Sequence, residues 1–586
     1  MGGAAFPVRS KTLPQGVLGA EAGNALPEKR RAALYQCRTR QSRDVNQGMS
    51  MKHRVRELPE TLLIIFIILC LLMFVIYPII EVLTFPKAKD FISVLTNVRY
   101  QRTALNSLLM LVLSTLSATF VGFIFAYTVT RTTVPGRKFF KIISILPLFS
   151  PPFMVSFSYI MMFGRNGLIT KGLLGLDVNI FGWQGLWLAQ TIAFFPVAFL
   201  TMEGVLQSIS PMLEYAGRNL GASGSTLFRT VTLPLARPGV AGAALLVAIQ
   251  VLADFGNPIM ISGSFSVLAT EAWMRVEGWA DIAGAAVLSI VLLLPSFIIF
   301  IVQRYWVGRK SYVTVTGKIA QMPIQKTSTA MRCLLFILCS LVSVLVILVY
   351  FGLIVGAFVN GWGYDWSFTT RYLAEILLRS KELVRSLTYS AIAGFCSALF
   401  SMTAAYLVSR KKFAGRRFVD FTSMLPAALP GIFLGIGYSI GFTKPPVDLY
   451  GTAAIIILSM IFWNISTGYQ TGVGVFQQIS PSFSEAASNL GAGTLRIFRE
   501  IEIPLIKGPF FSSFIMSFIR AITTLSVIVF LSTSKNSVAT FSIMNLVSDG
   551  FYGKAAALTC VLLAVSFGTI GLAKLLVGKQ VKFFNV

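Results

Sequence analysis

Long apolar stretches set the rhythm of this chain; strand-like alternation and short amphipathic patterns do not. A membrane-crossing helix needs about 20 mostly apolar residues. Twelve stretches meet that length: 61–84, 104–130, 142–163, 183–206, 239–262, 281–303, 333–357, 384–409, 419–442, 450–472, 509–531 and 554–576. The first begins past position 60 and lacks a small-residue cleavage site, so it reads as a span and not as a cleaved leader. Proline interrupts several stretches, at Pro78, Pro147, Pro151, Pro152, Pro196, Pro258, Pro295, Pro426 and Pro430. Membrane helices tolerate such breaks because neighbours re-satisfy the freed backbone groups. The pattern predicts an all-α polytopic membrane protein with 12 transmembrane helices.

Composition agrees. Of 586 residues, 55% are hydrophobic and only 12% are charged, against roughly 25% charged in soluble domains. A soluble enzyme and a disordered scaffold are excluded. The net charge of +27 resembles a nucleic-acid signal, but Lys and Arg flank apolar spans here, as they do in cytoplasmic loops. No nucleic-acid partner is expected. Placing the N-terminus inside puts most Lys and Arg in cytoplasmic segments, with the densest loop at Arg410–Arg417. Lys87, Lys89, Arg99 and Arg102, in the first outer loop, run against this trend. Twelve spans then leave both termini cytoplasmic.

Catalytic chemistry has little to stand on. His53 is the single His, and the six Cys form no CxxC pair, so neither a zinc site nor a disulfide framework is predicted. HExxH and GxxxxGK[ST] do not occur. The chain cannot hydrolyse ATP by the latter route, and energy must come from a partner. No catalytic residue and no metal ligand set is assigned. Residues 1–50 are polar and lack apolar periodicity, which predicts a disordered cytoplasmic extension. Met49 and Met51 sit just before the first plausible structured segment.

Two loops repeat at a fixed offset of 270 positions, Ser210 to Ser480. The first runs Ser210-Pro211-Met212-Leu213-Glu214-Tyr215-Ala216-Gly217-Arg218-Asn219-Leu220-Gly221-Ala222. The second runs Ser480-Pro481-Ser482-Phe483-Ser484-Glu485-Ala486-Ala487-Ser488-Asn489-Leu490-Gly491-Ala492. Phe228-Arg229 then matches Phe498-Arg499, and Leu233-Pro234 matches Ile503-Pro504. Both loops follow an even-numbered span, so both are cytoplasmic. An even number of spans per half makes the halves parallel, related by a pseudo-two-fold axis along the membrane normal. The organisation is residues 1–50 as extension, 51–303 as the first six-span half, 304–332 as a cytoplasmic linker and 333–586 as the second half. Each loop reads as a short helix, a glycine turn and a second short helix: an elbow along the membrane. Two elbows on a two-fold unit imply a two-fold cytoplasmic partner.

Two charged residues stand well inside spans, Asp254 and Arg520, and Glu203 lies near the end of one. Such residues are functional candidates by default. Asp254 lies in the fifth span, and Arg520 in the eleventh at the position matching Gln250. Gln250 is four residues, about one helical turn, before Asp254. Glu203 lies near the end of the fourth span and is expected to snorkel to the interface.

The elbows resemble the EAA loop of type I ABC importer permeases. Glu485-Ala486-Ala487-Ser488-Asn489-Leu490-Gly491 fits that pattern closely. The first copy departs from it: Tyr215 takes the usual Glu position, Glu214 comes one place earlier, and Gly217 replaces the second Ala. The resemblance implies that Glu214, Tyr215, Ala216 and Gly221, and Glu485, Ala486, Ala487 and Gly491, couple to two copies of an ATPase that binds ATP and Mg. It also implies an external substrate-binding protein, a bacterial inner membrane setting, and no cofactor in this chain. The resemblance implies that the fifth and eleventh spans line the path near the axis, with Asp254, Arg520, Gln250 and Thr524 on it, so that Asp254 and Arg520 are expected to face each other, as a structural ion pair or as a gate. Leu252–Pro258, Gln303–Lys310, Tyr312–Lys318 and Ser517–Ser526 look like segments of fused two-half ferric-iron permeases. Phosphonate and sugar-phosphate permeases are similar, and a secondary transporter is the rival class. Deleting 1–50, with translation from Met51, should leave transport unchanged; loss of assembly at normal expression would show that the extension binds a partner.

Overall fold

The computed structural model describes residues 60–307, 327–445, 447–480 and 482–577. The expected disordered extension and most of the expected linker lie outside the described residues. The chain divides into two compact units, Met1–Phe66 and Ile67–Val586. Of the first, only residues 60–66 are described, as the opening of the helix Glu60–Thr84.

Ten helices among the described residues are long and apolar enough to cross a membrane, and two bent helix pairs bring the total to twelve. The order is that of the apolar stretches. The bent pairs are the third and ninth spans, Arg137–Phe149 with Phe153–Leu173 and Arg416–Ala427 with Gly431–Gly441, turning through 108° and 111°. Proline causes both turns, since it removes an N–H and disfavours helical backbone before it. Ser150, before Pro151-Pro152, is extended at φ −106° and ψ 150°. Pro196 and Pro295 lie inside uninterrupted helices. The fifth span is also corrected: Gly224–Ala253 is one helix that ends at Asp254, where the apolar stretch continues to 262.

The halves repeat in detail. The fourth and tenth spans, Trp183–Ser208 and Ala453–Gln478, are each 26 residues. The matching helices Leu233–Ala253 and Ile503–Thr523 are each 21 residues. Both follow a five-residue π-turn, Phe228–Thr232 and Phe498–Glu502. A small antiparallel hairpin, Val359–Gly361 with Asp365–Phe368, belongs to the second half alone among the described residues.

Packing exchanges an element between the halves. Past residue 66, the first span lies on the ninth: the Tyr77 hydroxyl donates to the Gly441 carbonyl at 2.9 Å, and the Tyr438 hydroxyl to the Phe74 carbonyl at 2.7 Å. The seventh span, Thr329–Ala357, lies on the third. There Ser158 Oγ donates to the Val349 carbonyl at 2.5 Å, and Ser150 Oγ meets the Tyr350 hydroxyl at 2.6 Å. Lipid supplies no hydrophobic drive between helices, so close approach and hydrogen bonds hold such contacts. A Cβ at Gly437 would lie 2.6 Å from the Pro78 carbonyl oxygen. Gly437→Leu should therefore cost about 1–3 kcal/mol, read as a lowered thermal midpoint in detergent. Gly474→Leu, on an open face with no atom within 4 Å of its Cβ site, should leave the midpoint in place.

Candidate functional site

The elbows form as their residues dictate. Ser210 caps the helix Pro211–Asn219 by accepting from the Met212 N–H at 3.4 Å, with Pro211 in the first turn where no N–H is missed. Ser480 does the same for the Ser482 N–H at 3.3 Å. Both helices stop at a left-handed glycine, Gly221 at φ +86° and Gly491 at φ +85°, a conformation glycine enters without steric penalty. The Ala222 N–H then bonds the Gly217 carbonyl, and the Ala492 N–H the Ala487 carbonyl, each at 3.0 Å. Gly217 has a packing reason, since a Cβ there would lie 2.5 Å from Leu227 Cδ2.

Two features went unread in the sequence. Leu220 and Leu490, matching residues at the elbow tips, are 88% and 89% exposed. A large apolar side chain is thus held open at the same place in both halves. The Asn-Leu-Gly shared by both loops was the available signal. The second feature is an arginine, at the end of the second span in one half and of the eighth in the other, that holds each elbow's root. Arg131 donates to the Leu206 and Ile209 carbonyls at 2.5 and 2.7 Å, and Arg410 to the Ile479 carbonyl at 2.8 Å. Glu214 turns toward the bundle: it lies 3.5 Å from Arg131 and accepts from Thr232 Oγ1 at 3.0 Å. The Glu485 side chain lies outside the described set. Tyr215 is half-buried, and Ala216 and Ala486 are exposed. Glu203 does not snorkel; it is buried and pairs with Lys141 at 2.8 Å.

A cavity of about 650 Å³ opens where both halves break their helices. Its lining includes Gln250, Asp254, Thr524 and Arg520, together with Asn464, Thr467, Gln470 and Thr471 from the tenth span. It also includes Pro152 and Pro426 from the bent spans, and Gln303 and Arg304 from the end of the sixth. The four expected path residues thus meet in one space. At the elbow end, Arg304 pairs with Asp420 at 2.6 Å, and the Tyr469 hydroxyl donates to the same carboxylate at 2.6 Å.

Asp254 and Arg520 share the cavity without forming an ion pair. Asp254 is 7% exposed. Its Oδ2 accepts from Gln190 Nε2 and Asn257 Nδ2, each at 3.0 Å, and its Oδ1 from the Asn257 N–H at 3.2 Å. Ser114 holds Gln190 at 2.8 Å and Ser156 holds Asn257 at 2.6 Å. Asp254 thus accepts from the first turn of the short helix Gly256–Ile261, and this network is anchored from three other spans. Arg520 is exposed to the cavity, and its Nη1 donates to Thr467 Oγ1 at 2.7 Å. Thr524, in Asp254's place, bonds back to the Arg520 carbonyl at 2.5 Å. Among the described residues no three His, Cys, Asp or Glu side chains come together.

A twofold-repeated helical bundle with broken spans around a cavity and exposed elbows at one end is the build of a membrane permease. Residues 118–312 and 397–580 match the family described as binding-protein-dependent transport system inner membrane component, and the chain belongs to that family. It is a multi-pass inner membrane protein, and its family works with an ABC ATPase and a substrate-binding protein. It is 34% identical over 86% of its length to a ferric transport system permease protein FbpB of Actinobacillus pleuropneumoniae, covering 76% of that protein. It is 32% identical over 80% of its length to a putative ferric transport system permease protein FbpB 1 of Haemophilus influenzae, covering 78%. A molybdenum transport system permease protein ModB of Escherichia coli K12 matches 35% of the chain at 30% identity. Family membership sets aside the secondary transporter.

Because Asp254 and Arg520 bond to separate partners, Asp254→Asn and Arg520→Gln should be additive in thermal stability to within about 0.5 kcal/mol. A double-mutant cycle read by thermal unfolding checks this; a larger coupling would mean that the two charges meet in another state.

Proposed function

We propose that this chain is the permease subunit of an ATP-driven importer that takes ferric iron from an external binding protein. Its termini lie in the cytoplasm, and its two elbows dock on two copies of the ATPase. The observation that carries the coupling role is the pair of matched elbows, each ending in an open leucine and each rooted by an arginine of its own half. The second short helix of each elbow continues without a break into the span that reaches the cavity: 224–253 in one half, 494–523 in the other. A push on either elbow is thereby delivered to the residues that face the substrate. The iron assignment rests on the substrate named for the two ferric relatives, each matched over more than three-quarters of its length. Phosphonates and sugar phosphates are the alternative cargoes.

The test is radioactive ferric uptake in an iron-starved host expressing the chain with its ATPase and binding protein. Gly491→Arg and Glu485→Lys should abolish uptake while the protein still reaches the membrane. Gly221→Arg should do less harm, because the first elbow departs from the family pattern and its Glu214 faces the bundle. Normal uptake by Gly491→Arg would remove the docking assignment, and uptake of another solute in place of iron would remove the substrate.

A further inference from the structure

We propose that the cavity contains an oxyanion subsite centred on Arg520, and that iron crosses as a complex carrying its own anionic oxygens. The second half of this statement rests on the ferric reading above; the subsite itself does not.

Two guanidinium groups line the cavity. Arg304 is neutralised by Asp420. Arg520 has a hydroxyl partner, Thr467, and among the described residues no carboxylate pairs with it. The one carboxylate in the lining, Asp254, already accepts three hydrogen bonds. Beside Arg520, the tenth span presents Asn464, Thr467 and Thr471 to the cavity, a spacing that keeps them on one helical face. The matching residues of the fourth span are Phe194, Val197 and Thr201, of which only Phe194 lines the cavity, so the fourth span brings no polar side chain opposite this row.

A guanidinium fork with neighbouring hydroxyl and amide groups is the chemistry that grips carboxylate and phosphate oxygens. The same wall is poor for a bare trication. Hard cations take several oxygen ligands, whereas this lining brings one engaged carboxylate and an uncompensated positive charge. An accompanying anion reverses the sign of that interaction. It also lowers the net charge that must leave water, which reduces the desolvation penalty. The shared chemistry is an oxyanion, either free or bound to iron.

The test uses the full chain in nanodiscs, with labelled orthophosphate and labelled citrate as probes, each with and without ferric ion. Wild type should bind at least one probe saturably. Arg520→Gln should weaken that binding about tenfold, equivalent to one lost charge-assisted contact of about 1.4 kcal/mol, and Arg520→Lys should restore part of it. Thr467→Val, which keeps the charge, should weaken binding about threefold, within the range of a neutral hydrogen bond. Probe binding only in the presence of iron identifies the complex as ligand; equal binding without iron identifies the free anion and overturns the accompanying-anion half. No saturable binding by wild type, or unchanged affinity in an Arg520→Gln protein that elutes like wild type, would overturn the subsite and leave the ferric reading standing. In proteoliposomes with the ATPase and binding protein, labelled anion should enter with labelled iron in constant ratio. Iron entering without anion would overturn the joint crossing, and no iron uptake by wild type would remove the ferric reading while the subsite stood.

Discussion

A chain that leaves the helical hydrogen-bond ladder inside a bilayer must bring partners for every freed N–H and C=O, because lipid supplies none. Four helix breaks in this protein obey that constraint: 150–152, Asp254-Phe255, 428–430 and Thr524–Val527. Each sends residues to the cavity or its immediate wall. At the break of the fifth span, Asp254 accepts from the Asn257 N–H in the first turn of the next helix, and Gln190 and Asn257 side chains hold Asp254 in turn. At the matching break in the second half, Thr540 Oγ1 donates to the Thr524 carbonyl at 2.9 Å. Irregular backbone thus occurs where protein surrounds it, and a space for substrate follows from the same geometry.

The repeat is close in backbone and unequal in chemistry. Bend angles, helix lengths and elbow glycines agree between the halves. The cavity side chains do not: Gln250 matches Arg520 by position, Asp254 matches Thr524, and Phe194 matches Asn464. Fusing both halves into one chain allows this divergence, since each wall has its own codons. Backbone symmetry and side-chain asymmetry therefore coexist around one cavity.

Local sequence carries much of each elbow. The spacing, serine caps, terminal glycines and position after even spans are all legible in it. Glu214 is legible as an acid in a first turn, but its direction is not. Its neighbours Arg131 and Thr232 lie well away along the chain, and only folding shows that the acid braces the elbow against the bundle. Leu220 and Leu490 stand in plain view as apolar residues. Exposure is a tertiary property, so they become notable only because nothing in the fold covers them.

Twelve apolar stretches, their prolines and the 270-residue repeat were determined by the sequence alone. Membrane thickness and backbone chemistry act over twenty-residue windows, which one chain displays directly. Tertiary structure decided the rest. It exchanged the first and seventh spans between halves through Tyr77, Tyr438, Ser150 and Ser158. It bent the spans at Pro151-Pro152 and Pro430 while leaving Pro196 and Pro295 within helices. It also gave Asp254 to Gln190 and Asn257, although opposite charge and the resemblance pointed to Arg520. A buried carboxylate bonds to whichever donors the packing brings within 3 Å, and donors from other spans have no signature in local sequence.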